Sequence, residues 1–138
     1  MNERPIYELW GLELFDKIWS STDFNKEQIE LISRALRNCS TVLDLGTGIG
    51  TVAEHLIKEG KTVYGLDISQ NSLDYAKKKI NSKRFHPIQL DAHELAFENK
   101  FDGIYCASNT AYFDDLDSVV KGIHRALKQS GLFAITGF

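Results

Sequence analysis

Several features that mark specialised proteins are scarce in this chain. Its 138 residues include two prolines, two cysteines and one methionine, and its formal net charge is only −3. No apolar run approaches the roughly 18 residues that a membrane span needs, and the start of the chain lacks the basic and then apolar pattern of a signal peptide. The weak charge gives no reason to expect a nucleic acid or an anionic membrane as a partner.

Metal ligands are scarce as well. Cys39 and Cys106 have no metal-like spacing, and no two histidines are paired in sequence, so we expect no metal site. Unpaired cysteines are typical of a reducing compartment, which predicts a cytoplasmic location. The length suits one domain, and 43% hydrophobic with 25% charged residues is ordinary for a globular protein.

The pattern of apolar residues changes near Thr41. Before it, Ile6 to Trp19 and the segment around Ile29, Ile32 and Leu36 have helical spacing, which predicts a helical region over residues 1–40. After it, strands alternate with helices of about ten residues over 41–138. The predicted strands are TVLDLG, KTVYGLD, HPIQLD, FDGIYCAS and GLFAITGF. This alternation predicts an open, doubly wound, mainly parallel α/β sheet, whose ligands bind beyond the carboxyl ends of the strands.

The stretch VLDLGTGIG joins the first predicted strand to its helix. Gly46, Gly48 and Gly50 permit positive φ angles and a close approach of a ligand to the backbone, although a plain turn would also explain them. Asp44 favours a ligand site over a plain turn, because a carboxylate there would repel a pyrophosphate and attract an ammonium group. The third glycine also comes one position early for G-x-G-x-x-G. Both features suit S-adenosylmethionine, which carries an amino acid and no phosphate.

Asp67 ends the second predicted strand, in the stretch VYGLDIS. A carboxylate at this place accepts hydrogen bonds from both hydroxyls of a ribose, so it indicates an adenosine ligand without identifying the chemistry. The alternative role is that of an acid before the helix cap Ser69.

Five stretches in order resemble the motif series of the class I, Rossmann-like, S-adenosylmethionine-dependent methyltransferases, and their small-molecule branch most. They are VLDLGTGIG, VYGLDIS, LDAHELAF, FDGIYCASNTAYF and ALKQSGLFAI, and they cover Thr41 to Thr136. The resemblance implies that S-adenosyl-L-methionine is the cofactor, that S-adenosyl-L-homocysteine is the product, and that a small molecule accepts the methyl group by direct displacement.

The resemblance also assigns roles along the chain. The loop of Gly46, Thr47 and Gly48 would lie against the methionine part of the cofactor, Asp44 would orient its ammonium, and Gly50 would permit close packing of the helix start. Asp67 would take the ribose hydroxyls and Ile68 would pack on the adenine. Asp91 and the amide of Ala92 would read the base. Ala107 and Ser108 would lie near the transferred methyl group.

The acceptor side is predicted less fully. Asn109 and Tyr112 follow the fourth strand, and Tyr7 and Trp10 belong to the first helix, which the family often folds over the cofactor as a lid. Covering of the sheet or amphipathic packing would explain the same aromatic residues. His93 follows Asp91, and we expect it to be solvated. The sequence identifies no general base, and methyl transfer to an amine that arrives neutral needs none.

The chain departs from the family at its C-terminal side. The family's last two strands have no counterpart after GLFAITGF, which would leave an apolar strand edge exposed. A truncated form of a longer chain, completion by a second copy or a partner chain at that edge, and a degenerate protein that keeps only the cofactor half are the alternatives. We favour truncation. Two rival functions stay open: a regulatory module that binds the cofactor without catalysis, and a nicotinamide-dependent oxidoreductase.

Overall fold

The structure is a computed structural model, and it describes residues 11–108 and 113–137. Two helices come first, α1 (Leu12–Ser20) and α2 (Asp23–Ala35). The elements that follow are β1 (Thr41–Leu45), α3 (Thr51–Lys58), β2 (Thr62–Asp67), α4 (Gln70–Ile80), β3 (Phe85–Gln89), a short 3-10 helix (Ala92–Glu94), β4 (Phe101–Ala107), α5 (Leu116–Ala126) and β5 (Leu127–Thr136).

The five strands form one sheet in the order β3-β2-β1-β4-β5. Every neighbouring pair is parallel. The chain moves outward from β1 to β3 and then crosses back to place β4 on the other side of β1, so the strand order reverses at β1 and β4. This arrangement confirms the predicted α/β fold, and it locates the crevice where such sheets bind ligands at the carboxyl ends of β1 and β4.

Both faces of the sheet are covered, as expected for a parallel sheet. On one face α5 packs Val119 and Ile123 against Leu43 and Leu45 of β1. On the other face, residues of α2 and α3 pack with Val42. Consecutive residues of β1 therefore enter opposite layers of the core, which is why TVLDL reads as an almost continuous apolar run.

Both α2 and α4 begin at a capping side chain. Thr22 accepts a hydrogen bond from the amide of Asn25 at 3.2 Å, and Ser69 accepts one from the amide of Ser72 at 3.2 Å. These contacts satisfy amides that have no partner inside their own helix. None of the helices in the two described ranges is long and apolar enough to cross a membrane.

Several predicted boundaries differ from the structure, and the two largest differences are at the first helix and the last strand. The first helix was expected over Ile6 to Trp19, whereas α1 begins at Leu12, after Gly11, whose φ of +81° is not helical. Residues 1–10 lie outside the described ranges. β5 begins at Leu127 rather than at Gly131. Its first residues after Leu127 are polar and exposed, so the apolar pattern could not reveal them.

β5 lies at one edge of the sheet. It pairs with β4, and no strand within 11–108 or 113–137 pairs with its other edge. Leu132 and Ile135 of β5 are exposed by 42% and 38%. The contact of this edge with another chain or a further segment stays a prediction.

Candidate functional site

A cleft of about 510 Å³ opens at the carboxyl ends of the strands. This volume is within the range of small-molecule sites. The predicted cofactor residues that line it are Asp44, Gly46, Thr47, Gly48, Asp67, Ile68, Asp91, Ala92, Ala107 and Ser108. Gly50 lies behind the cleft: a Cβ there would come within 2.8 Å of Cδ1 of Ile80, so its φ of +78° and its lack of a side chain let α3 and α4 approach.

The glycine loop is bound to the end of β2. The amides of Gly46 and Thr47 both donate to the carbonyl oxygen of Leu66 at 2.8 Å. The amide of Gly48 donates to Oδ2 of Asp67 at 2.8 Å. The φ angles of Gly46 and Gly48 are +73° and +54°, in the region that side chains disfavour, so glycine is needed for this path.

Asp67 joins the loop, the strand and the next helix. Besides the amide of Gly48, its carboxylate accepts from the amide of Ser69, through Oδ1 at 2.9 Å. Each carboxylate oxygen has a second lone pair that can accept a hydroxyl. The capping role considered from the sequence and a role toward a ribose are therefore compatible.

Asp44 is a carboxyl group buried at the base of the cleft, with 2% of the residue exposed. It lies in the central strand, beside Gly65 of β2 and Tyr105 of β4. Burial raises its pKa to about 7, and the nearby charge of Asp67 adds to this rise, whereas the hydroxyls of Thr47 and Tyr105 oppose it. A cation that entered the cleft would stabilise the ionised form of this group.

The two hydroxyls beside Asp44 are poorly satisfied. Oγ1 of Thr47 and the hydroxyl of Tyr105 are buried and lack a hydrogen bond of good geometry with any residue in the described ranges. Buried polar groups without partners are uncommon and often mark a place where a ligand completes the network. Thr47 also lines the cleft, next to Asp44.

Asp91 and His93 form a pair at the third strand end. Oδ1 of Asp91 accepts from the backbone amide of His93 at 2.9 Å and also contacts Nδ1 of its ring. The His93 backbone amide and then its side chain hold the pKa of Asp91 below its usual value. Nε2 of His93 accepts from the amide of Asp115 at 3.2 Å.

His93 was expected to be solvated, and that expectation is wrong. Its side chain is 25% exposed and lines the cleft, because Asp91 on one side and the segment before α5 on the other hold the ring. Both ring nitrogens have partners in the structure. His93 therefore joins the 3-10 helix to the segment that contains Phe113, whose ring it contacts edge-on at 6.1 Å.

Ser108 follows β4 with an unusual backbone. Its φ is +59°, which is rare and costly for a residue with a side chain, and its amide donates to the carbonyl of Thr136 at 2.7 Å. Oγ of Ser108 and Oγ1 of Thr136 both donate to Oε1 of Gln28 at 2.7 Å. The ends of β4 and β5 are thus tied to α2.

The helix α1 supplies an aromatic wall of the cleft. Phe15 and Trp19 line it and stack on each other with centroids 6.0 Å apart. Asp16 attaches this helix to α4: its carboxylate accepts from the hydroxyl of Tyr75 at 2.8 Å and from Nζ of Lys79 at 3.2 Å. The wall is therefore held to the sheet domain by a small polar cluster.

The candidates for acceptor contacts, Tyr7, Trp10, Asn109 and Tyr112, lie outside the described residues. Ile68 lines the cleft with 68% of its surface exposed.

In the described part of the chain no group of three or more His, Cys, Asp or Glu residues is placed to hold a metal ion.

The sequence interpretation missed Gln28. It is 4% exposed and lines the cleft. A signal existed: Asn25 and Gln28 are the polar members of the same helical face as Ile32 and Leu36, and a buried amide on an apolar face needs a polar partner. The partners themselves could not be read from the sequence.

The chain resembles proteins that are named as methyltransferases. A family model for a methyltransferase domain matches residues 43–135. A cypemycin N-terminal methyltransferase from Streptomyces sp. is 28% identical over 137 residues, which is 95% of this chain and 56% of that protein. An uncharacterized methyltransferase of Synechocystis sp. is 36% identical over 111 residues, 78% of this chain and 51% of that protein. The chain thus spans about half the length of these relatives.

Solved structures of other proteins resemble this fold. A putative S-adenosyl-L-methionine-dependent methyltransferase from Methanococcus maripaludis superposes with a TM-score of 0.83 and 24% identity over 99% of this chain and 66% of that one, which establishes the likeness of fold. Phosphoethanolamine N-methyltransferase 2 of Haemonchus contortus, solved with S-adenosyl-L-methionine, gives 0.75 and 30% identity over 81% of this chain and 28% of that one. The match over residues 43–135, on a sheet of the same fold, shows that the chain belongs to the methyltransferase domain family.

Proposed function

We propose that this chain binds S-adenosyl-L-methionine in the cleft and, in the complete protein, transfers the methyl group to a small-molecule acceptor. The observation that carries the proposal is the placement of three carboxyl groups in one cleft. Asp44, Asp67 and Asp91 stand at or after the ends of β1, β2 and β3. Each matches one part of this cofactor: the ammonium, the ribose diol and the amino group of adenine.

The carboxyl group of Asp44 disfavours a dinucleotide. A pyrophosphate at the glycine loop would lie close to Asp44, and ionised Asp44 would repel it strongly in a buried site. A ligand with a cationic amino acid part removes this repulsion and also ionises Asp44. The charge pattern therefore favours the methyl donor over a nicotinamide cofactor.

Methyl transfer requires little from the protein beyond the positioning of the donor and the acceptor. Asp44, Asp67 and Asp91 would hold S-adenosyl-L-methionine, which would supply an activated methyl group to a lone pair of the acceptor, its sulfur keeping the electron pair of the bond that breaks. The residues of the cleft orient the donor and exclude water, which supplies much of the rate in such reactions. An acceptor amine releases its proton to solvent.

We also propose that residues 1–40 act as a helical lid on the core formed by 41–138. The support is the position of α1, whose Phe15 and Trp19 line the cleft and whose Asp16 reaches α4. Such a wall would shield the reacting atoms once a ligand is bound.

Calorimetric titration with S-adenosylhomocysteine tests the cofactor proposal. We expect micromolar binding, no binding of NADH, and at least a tenfold loss in Asp67→Ala. Asp74→Ala, which removes an exposed acid of α4 outside the cleft, is the matched control. Binding of NADH in preference to S-adenosylhomocysteine would show an oxidoreductase instead. A folded chain that bound neither ligand would contradict the proposal.

A further inference from the structure

Gln28 has the geometry of a ligand-binding amide. It is 4% exposed and lines the cleft, on the side where β4 and β5 end. Its Oε1 accepts the protons of two hydroxyls, Ser108 Oγ and Thr136 Oγ1, both at 2.7 Å. An sp² oxygen has two lone pairs, so these two contacts occupy Oε1 fully.

The nitrogen end of the amide has no partner among the described residues. Nε2 carries two protons and forms no hydrogen bond with any residue of 11–108 or 113–137. Gln28 as a whole is nearly buried, so little water reaches its amide nitrogen, and a ligand that accepts its protons would stabilise it. Since the oxygen is turned toward the two hydroxyls, the two nitrogen protons remain for the cleft.

Ser108 and Thr136 hold the amide of Gln28 in this orientation. Ser108 holds a φ of +59°, a strained conformation that is maintained by the amide contact to Thr136. Strain of this kind persists where the neighbouring structure determines it, and it clusters at functional sites. The strained turn places Oγ of Ser108 against Gln28, so the donor is set before any ligand arrives.

The described lining of the cleft has four acidic side chains and no lysine or arginine. Asp44, Asp67, Asp91 and Asp114 all line it. They can receive the cationic and hydroxyl parts of a ligand, but none of them can bind an anionic oxygen when ionised. A cofactor with an amino acid part carries a carboxylate, which needs a donor within the same cleft.

We propose that Nε2 of Gln28 donates a hydrogen bond to a carboxylate oxygen in the cleft, from the methionyl group of the cofactor or from the acceptor. The inference rests on the proposed function. Gln28 is a binding residue that recognises a carboxylate, and it takes no part in moving the methyl group.

Two ligands and an isosteric variant test it. S-adenosylhomocysteine has the carboxylate and 5′-methylthioadenosine lacks it. Gln28→Glu keeps the shape and both hydroxyl contacts but replaces the donor with a second acceptor. Gln129→Glu, an exposed change on β5, controls for the added charge. The same titrations on the wild-type protein follow the side-chain amide protons of Gln28 by NMR, which needs no variant to fold.

If the cofactor supplies the carboxylate, Gln28→Glu weakens S-adenosylhomocysteine at least tenfold and 5′-methylthioadenosine less than twofold, and the Gln28 amide protons shift only with the former. If the acceptor supplies it, both nucleosides bind the variant normally, and the protons shift when glycine is added to the protein saturated with S-adenosylhomocysteine.

Other outcomes overturn the inference. Unshifted amide protons in every titration, or an equal loss of both nucleosides in Gln28→Glu, would show that the side chain only supports the structure. Wild-type protein that failed to bind S-adenosylhomocysteine would instead contradict the proposed function. The two failures are therefore distinguishable.

Discussion

The amide of Gly48 donates a 2.8 Å hydrogen bond to Oδ2 of Asp67, nineteen residues further along the chain. Gly46 and Thr47 donate to the carbonyl of Leu66 beside it. The glycine loop is thus shaped by β2 as well as by its own glycines. A carboxylate that a nucleoside would use also holds the loop that faces the nucleoside.

We expect Asp67→Ala to loosen the loop selectively. A hydrogen bond to a charged group contributes about 1.5–3 kcal/mol, so the amide of Gly48 should exchange its proton about tenfold to hundredfold faster. The amides of Gly46 and Thr47, which bond to a backbone carbonyl, should stay protected. Hydrogen exchange followed by NMR measures all three. Unchanged exchange at Gly48 would show that the carboxylate does not hold the loop.

Ligand affinity should depend on pH through Asp44. Its pKa is raised to about 7 by burial, so below this pH the free protein holds a neutral carboxyl group. A cationic ammonium needs the ionised form, and its binding must then release one proton. The affinity for S-adenosylhomocysteine should fall by up to tenfold for each pH unit below 7, as measured by titration calorimetry in buffers of different ionisation enthalpy.

Asp44→Asn is the control for this dependence. It should bind the ligand weakly and release no proton from this site. It should also remove a pH effect on stability: because the folded state holds the proton of Asp44 more tightly than the unfolded state, ionisation between the ordinary value of 3.8 and about 7 destabilises the fold. Thermal unfolding at pH 8 should therefore give a higher Tm for Asp44→Asn than for the wild type. A lower Tm would contradict the assignment.

Gly48→Ala and Gly50→Ala should separate binding from packing. Both glycines have positive φ, so each alanine is strained by about 1 kcal/mol. A Cβ at Gly48 meets nothing within 4 Å, whereas one at Gly50 would lie 2.8 Å from Ile80 and 3.1 Å from Ala76. We expect Gly48→Ala to lose ligand affinity with little further loss of stability, and Gly50→Ala to lose more stability. Urea unfolding and calorimetry measure the two effects, and the reverse order would refute this account.

Removal of Asp16 should detach α1. Its carboxylate accepts from Tyr75, Lys79 and Ser20. Burial opposes ionisation of Asp16, but the hydrogen bonds from Tyr75, Ser20 and Lys79 leave its pKa below the ordinary value. The contribution is therefore present at neutral pH and is lost as the pH falls through that lowered value.

We expect Asp16→Ala to destabilise the protein by about 1–2 kcal/mol and to speed proteolysis between α1 and α2. Glu13→Gln, an exposed change on the same helix, should do neither. Urea unfolding and limited proteolysis with mass spectrometry provide the readouts. Equal cutting in the two variants would mean that other contacts hold the helix.

The fold could be predicted from the sequence because the patterns that indicate it involve residues that are neighbours in the chain. The alternation of strands and helices, the cap at Ser69 and the glycines of VLDLGTGIG each depend on neighbours in sequence. The same is true of Asp44 and Asp67, which stand at strand ends that any parallel sheet brings to one edge. Topology alone therefore gathered most of the predicted cofactor residues around one cleft.

The remaining contacts depend on distant partners. Gln28 meets Ser108 and Thr136 across separations of 80 and 108 residues, and Asp16 meets Tyr75 across 59. Side chains that pair over such distances leave no periodic trace in the sequence. His93 was misjudged for the same reason, because its second partner is the amide of Asp115, 22 residues away.

The attachment of the glycine loop to β2 has a consequence for ligand exchange. Three backbone donors fix that wall to the central sheet, so it cannot retreat without breaking the end of a strand. The opposite wall, α1, contributes no buried residue to the core and depends on the cluster at Asp16. We therefore expect ligands to enter and leave the cleft on the side of α1, and the residence time of the product to depend on how often that helix detaches.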